Sequence, residues 1–449
     1  MKLLYAVFFS ILPICSSIRV LHMTDIHIDL KYKVGSATNC ILGDTGLGCC
    51  RSTDVPKDPA GSAGLWGDIN CDNPLPFLNG TLHWIIDNTA PIDVVLLTGD
   101  FVDHHDFVQS WDDNKETIQT ASNTFSDVFS IVSSPPIIIP ILGNHDTYPV
   151  DQLIPIITAP TILGDIGTIW SSWLLSDDAR TTFKKCGYYT GLVPRLGDRT
   201  RVLVLNSLYY DTNNAVVIAD PSSDICKQEE FITNTVQSAQ TMNETIWLLG
   251  HIPPGSGSCT DHFAKFLVKI ATQYPETITY HFWGHTHSDE FRIYRPDGYG
   301  YPTGMFIAPS LVAGSDHDPA FRIYTYNPIT KILENYEQYY CRLTNIPTFP
   351  GCYKVYDAVS RYDMTDVSSL SVVDLAVRID SNDTLFNRYA GMIKYPRGDT
   401  CCKRERLCDM NFVVQTNHSI CMSSALRTTR ISLSVIFLSV LAIIFSLKN

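Results

Sequence analysis

Hydrophobic residues in this chain gather into short, β-branched runs that end abruptly on polar residues. Residues 19–23, 93–97, 137–142, 245–249 and 278–283 are nearly continuous apolar stretches, and runs of that length read as strands buried on both faces. Residues 201–208, 305–308 and 321–326 add further strands. Between them, residues 82–89, 114–132, 229–241 and 262–274 carry helix-compatible patterns. Alternating strands and helices predict an α/β fold. After about residue 337 the pattern changes to sequence rich in Pro, Cys and Tyr, with helical segments around 366–377. This divides the chain into a main domain over 18–340 and a small helical subdomain over 341–421.

The polar residues at the strand ends form an ordered series: Asp25-x-His27, Gly99-Asp100, Gly143-Asn144-His145-Asp146, Gly250-His251 and Gly284-His285-x-His287. Ligand sites of α/β sheets lie beyond the carboxyl ends of the strands, so five strands here deliver polar groups to one rim. Residues two apart in extended chain point the same way, which lets Asp25 and His27, or His285 and His287, reach one ion together. Asp100 has two oxygens and can bridge two cations, and Asn144 offers a neutral carbonyl. A mixed N/O set without thiolate suits zinc, manganese or iron. Two divalent ions outweigh the charges of Asp25 and Asp100, leaving a surplus that a bridging hydroxide and a phosphate anion would balance. Two metals about 3.5–4 Å apart activate such a water for in-line displacement at phosphorus. His145, not needed as a ligand, is the expected general acid for the leaving alkoxide. Any one of these short motifs is a weak signal; five in this order, each behind an apolar run, are a strong one. His22, His83, His262, His281, His317 and His418 are expected to be packed or solvated instead.

The ends and cysteines set the compartment. Residues 1–17 have the basic start, short apolar core and small-residue exit of a secretory leader. Residues 431–447 are apolar and uncharged, slightly short of the about 20 residues a spanning helix needs. With Ser423, Ser424 and Ala425 ahead of it, the 422–449 tail fits a glycosylphosphatidylinositol signal better than a transmembrane helix. Of fourteen cysteines, Cys15 lies in the leader, and the rest are expected mainly as disulfides, with local staples within 40–71 and 401–421. Sequons at Asn79, Asn243, Asn382 and Asn417 agree with export. The expected location is extracellular or at the cell surface, with the lysosomal lumen as the alternative. A formal charge of -13 argues against a nucleic-acid duplex as partner. It leaves small phosphodiesters, nucleotides, phospholipid head groups and a membrane reached through the lipid anchor; a monomer is expected.

These motifs resemble the calcineurin-like metallophosphoesterase superfamily and, within it, the acid sphingomyelinase-like phosphodiesterases, over residues 18–421. The resemblance implies a four-layer αββα sandwich. It implies one metal held by Asp25, His27, Asp100 and His287 and a second by Asp100, Asn144, His251 and His285, both zinc, with manganese or iron as alternatives. It makes His145 the proton donor and His104 a second active-site histidine, with His105 a bystander. Purple acid phosphatases would place a tyrosine where Asp103 stands, and serine/threonine phosphatases a glutamate at Asp146. No saposin domain like that of acid sphingomyelinase is expected ahead of residue 18, an expectation that shifts the expected substrate toward nucleotides and related phosphodiesters or phosphoanhydrides. Sphingomyelin hydrolysis, or a low-turnover lipid-modulating receptor, is the alternative. Cys259 matches a family half-cystine, with Cys226 its nearest candidate partner.

Overall fold

The computed structural model describes residues 17–40, 48–58, 61–105, 109–296, 300–314, 316–344, 346–398 and 401–423. The expected leader, apart from Ser17, and the apolar 431–447 tail lie outside these. Among the described residues no helix is long and apolar enough to cross a membrane.

In chain order the strands are β1 (Ile18–Met23), β2 (Val94–Leu97), β3 (Ile137–Pro140), β4 (Tyr189–Leu192), β5 (Thr200–Val204), β6 (Thr245–Leu249), β7 (Ile278–Trp283), β8 (Glu290–Tyr294), β9 (Thr303–Ile307), β10 (Ala320–Asn327), β11 (Ile332–Cys341) and β12 (Cys352–Asp357). They form two six-stranded sheets, β12-β11-β10-β1-β2-β3 and β4-β5-β6-β7-β9-β8. The sheets face each other across an aromatic layer: Phe282 lies 5.2 Å from Tyr324 and 5.8 Å from His22, and Trp247 lies 5.0 Å from Tyr326, between ring centroids. That layer explains why the apolar runs are continuous, since every strand side has a covering layer.

Helices close both outer faces. Trp84 of the helix Leu75–Asn88 packs on Phe321 and Tyr339 of the first sheet, while Ser369–Ser381 lies on β9 and Lys403–Asn411 on β8 of the second. The result is the expected αββα sandwich. The stretch after 341 is continuous with this body, because β12 pairs with β11 and Cys341–Cys352 clips the two together.

Three local expectations change. The strand expected over 201–208 stops at Val204, and Ser207–Tyr210 turns as a 3-10 helix. Asn206 causes the break: its side chain accepts from Leu208 N–H and donates to the Cys186 carbonyl. The helix expected from 114 starts at Trp111, because Ser110 and Asp113 form a reciprocal capping box. The Cys259–Cys226 pairing is wrong: Cys226 bonds to Cys186, and Cys259 remains a thiol. Cys40–Cys49 and Cys50–Cys71 are local staples as expected, but within 401–421 the disulfide formed is Cys408–Cys421.

Candidate dimetal site

Parallel pairing of β1 with β2, β2 with β3, and β6 with β7 brings their carboxyl ends to one edge. Past those ends the loops continue to pair. Asp25 N–H donates to Gly99 O at 3.0 Å, His27 N–H to Asp100 O at 3.1 Å, and Gly284 N–H to His251 O at 3.0 Å. The turn out of each strand is sharp. Asp25, His27, Asp100, His285 and His287 all have φ between 38° and 70°, a left-handed conformation that side-chain-bearing residues rarely adopt. This corrects the alternation argument for Asp25 with His27 and His285 with His287. Left-handed kinks, each costing on the order of 1–3 kcal/mol, aim these side chains. Gly99, at φ +98°, supplies a turn in which a Cβ would also sit 2.7 Å from His251 Nδ1.

The seven predicted ligands converge. His27 donates Nδ1–H to Val102 O at 2.7 Å, and His251 donates Nδ1–H to Thr98 O at 2.7 Å, so both rings turn Nε2 inward. Asp100 Oδ2 lies between them, 3.6 Å from His27 Nε2 and 3.1 Å from His251 Nε2. Asp25 Oδ1 stands 3.2 Å from His287 Nε2. Asn144 Oδ1 is 2.9 Å from His251 Nε2 and 3.1 Å from His285 Nδ1. Asp25, His27 and Asp100 form one group able to hold a cation, and Asp100, His251 and His285 form another. Asp100 belongs to both.

Electrostatics suit a cation at each. Burial raises Asp25 and Asp100, but the facing imidazoles, His287 for one and His251 for the other, more than offset it and hold both carboxyls below the usual range. Burial pushes His285 down to about 3 and lowers His27 as well, which keeps their inward nitrogens as bare acceptors. His27 Nε2 is a buried atom with no hydrogen-bond partner. An orphaned inward nitrogen beside two buried carboxylates fits a metal-binding site.

His145 and His104 stand at the open side. His145 N–H donates to Asp100 Oδ1 at 2.8 Å, and its ring lies 4.5 Å from that of His104. His104 stacks 3.9 Å from His27, and a ring nitrogen lies within 4.8 Å of nitrogens on His27 and His287. The supporting roles of four residues were not read from the sequence. Asp72 receives both Nδ1–H of His104 at 2.6 Å and its backbone N–H at 2.8 Å. Asp146 accepts from Gly143, Asp100 and Phe101 N–H groups and so shapes the loops. Ser258 Oγ meets His285 Nε2 at 3.2 Å. His317, expected to be a bystander, is buried 5.8 Å from the His287 ring. His105 is also buried, donating to Asp103. No signal in the sequence singled out Asp72 or Ser258.

The calcineurin-like phosphoesterase signature matches residues 18–289. Sphingomyelin phosphodiesterase A of Dictyostelium discoideum is 30% identical over 90% of this chain and 67% of its own length. Sphingomyelinase phosphodiesterase C of the same organism is 28% identical over 87% and 89%. The human acid sphingomyelinase-like phosphodiesterase 3b is 25% identical over 94% of both chains. Among solved structures, a 5'-nucleotidase precursor from Thermus thermophilus superposes with a TM-score of 0.37 at 12% identity, over 81% of this chain and 59% of that one. The family signature over residues 18–289 and the sequence relatives lead to one conclusion: the chain belongs to the calcineurin-like phosphoesterases, among the acid sphingomyelinase-like phosphodiesterases, and is a metal-dependent phosphodiester hydrolase.

Proposed function

We propose that this enzyme cleaves the phosphodiester of sphingomyelin at a pair of zinc ions. The observation that carries the reading is Asp100, whose carboxylate belongs to both cation-binding groups. Asp25, His27, Asp100 and His287 would hold one ion and Asp100, Asn144, His251 and His285 the other. When bound, the pair supplies positive charge to the phosphate and acidifies the attacking water. The chain's own groups do the rest. The buried carboxylates and backbone-anchored imidazoles fix the ion positions, and His145 gives a proton to the departing lipid alkoxide. His104, braced by Asp72, faces the phosphate or leaving-group oxygen. The names of the relatives favour sphingomyelin over the nucleotides expected from the sequence.

A nucleotide or phosphoanhydride substrate is the second reading, and Lys394 favours it. Its ammonium lies 3.4 Å from His287 O and 3.5 Å from Asp316 Oδ2, where a further phosphate would meet a cation in competition with that carboxylate. Around this core the reading assigns residues 1–17 to a leader, 18–340 to the catalytic domain, 341–421 to its helical extension, and 422–449 to a lipid-anchor signal on a glycosylated, monomeric surface protein.

The test is a panel of sphingomyelin, ATP, CTP and a cyclic dinucleotide, at acid and neutral pH, with metal content measured on the same samples. Sphingomyelin turnover above the nucleotides, with about two zinc per chain, supports the proposal; nucleotide turnover alone shifts it to the second reading. Folded, secreted His287→Ala or Asn144→Ala protein that still hydrolyses bis-p-nitrophenyl phosphate would sink both.

A further inference from the structure

Two segments on the rim of the site, the turn leading into the helix Ala159–Ile169 and the short helix Ala215–Ala219 with the turn before it, present bare isoleucines to solvent. Residues 152–164 and 212–219 contain no charged side chain. In a chain that is 18% charged, stretches of this combined length would ordinarily carry several, and here only the inward side, with Leu153, Ile162, Leu163 and Val217, is buried. Ile156 is 88% exposed, Ile157 67% and Ile218 66%. The segments are joined: Gln152 donates to Asn213 O at 2.9 Å, and Ala215 N–H donates to the Gln152 side chain at 3.0 Å. Each also starts next to a predicted metal ligand. Asp151 N–H donates to Asn144 O at 3.1 Å, and Thr212 N–H to Ser258 O at 2.8 Å, where Ser258 touches His285. Other exposed isoleucines stand singly. Ile131, ahead of β3, and Ile329, in the β10–β11 turn, lie at the opposite edge. Scattered apolar side chains are ordinary on a soluble surface, whereas a group beside a site calls for a partner.

We infer that these segments form a membrane-docking edge, inserting Ile156, Ile157 and Ile218 into a zwitterionic lipid surface so that a bilayer phosphodiester reaches the site. This rests on the sphingomyelin reading. Charge selects the surface. Neither uncharged stretch holds a Lys or Arg, and Asp151 and Asp220 flank them, so attraction to anionic lipid has no source here. Exposed apolar side chains next to a neutral face suit insertion at the head-group boundary. Size argues against a second copy as the occupant, because a stable dimer buries about 800 Å² on each partner, more than three exposed isoleucines offer.

The experiment compares the full chain with Ile156→Ser/Ile157→Ser/Ile218→Ser, and with Ile131→Ser/Ile329→Ser as the control. Each is assayed on sphingomyelin in phosphatidylcholine vesicles and on soluble bis-p-nitrophenyl phosphate. The triple variant should lose about tenfold or more of its vesicle rate and keep its soluble rate, while the control keeps both. Ile156→Ser alone, at the most exposed position, should show a smaller loss of the same kind. An unchanged vesicle rate in the triple variant, or equal loss on both substrates with Ile156→Ser silent, overturns the docking edge. A change from dimer to monomer in sedimentation without loss on vesicles does so in favour of self-association. Unaltered protein that cleaves the soluble diester but never vesicular sphingomyelin removes the substrate reading, and the docking edge with it.

Discussion

Adding one methyl group at Gly143 tests the geometry of the site without replacing a predicted ligand. A Cβ there would lie 2.1 Å from Asp100 Oδ1 and 2.2 Å from Asp100 N. Real Cβ contacts do not fall below 3.0 Å, so the side chain or the loop must retreat by 0.9 Å, the difference between 3.0 and 2.1 Å. The atom forced to move belongs to the one carboxylate shared by both cation groups. A misplacement of about 1 Å in a reacting geometry costs roughly 10²-fold in rate, equivalent to about 2.7 kcal/mol of transition-state stabilisation. Overpacking adds about 1–3 kcal/mol of lost stability. Gly143→Ala should therefore lower kcat/KM on bis-p-nitrophenyl phosphate about 100-fold and reduce the metal bound after dialysis. Gly164→Ala, in the helix Ala159–Ile169 with nothing within 4 Å of the added carbon, is the control. It should leave activity intact and be neutral or stabilising by up to about 1 kcal/mol. If Gly143→Ala kept a kcat/KM within twofold of the parent with its metal complement unchanged, the close approach of these two loops, and the role given to Asp100, would be refuted.

Other outcomes follow from the same contacts. Asp72→Asn should cut kcat about 10–100-fold while leaving KM and metal content near normal, because Asp72 braces His104 and faces His105 but meets no predicted metal ligand; an unaltered kcat rejects that bracing role. Arg322, fully buried with Asp289, Gln338 and Tyr324 as partners and the Tyr336 ring 4.2 Å from its guanidinium, should cost about 3–5 kcal/mol in urea denaturation when changed to Ala, since Asp289 is then left without its charge partner. A loss below about 1 kcal/mol contradicts this. Cys259, half-buried with its thiol pushed up by burial first and then by Asp211, should react with iodoacetamide more slowly in the native than in the unfolded protein; equal rates contradict this. Chelation should abolish hydrolysis and lower the melting temperature, both restored by zinc, and full activity after verified metal removal ends the dimetal account.

The continuous apolar runs were legible because a strand covered on both faces needs no alternation, and the ligand-bearing motifs were legible because each follows such a run. Asp25, His27, Asp100, Asn144, His251, His285 and His287 could be proposed from residue order alone, as metal chemistry restricts side-chain types so narrowly. Their aim could not. It comes from left-handed turns and from Val102 and Thr98 carbonyls that orient the rings, contacts between residues as much as 153 positions apart. Asp72, Ser258 and His317 carry no local signal, because an aspartate, a serine or a histidine acquires such a role only through what folding places beside it. Disulfide choice followed the same rule. The resemblance pointed Cys226 to Cys259, but the fold brought Cys186 to Cys226 and left Cys259 a half-buried thiol. Local sequence thus encodes which elements form and which chemistry they carry, whereas non-local packing sets distance and direction, because those depend on the sum of many weak contacts that no single segment contains.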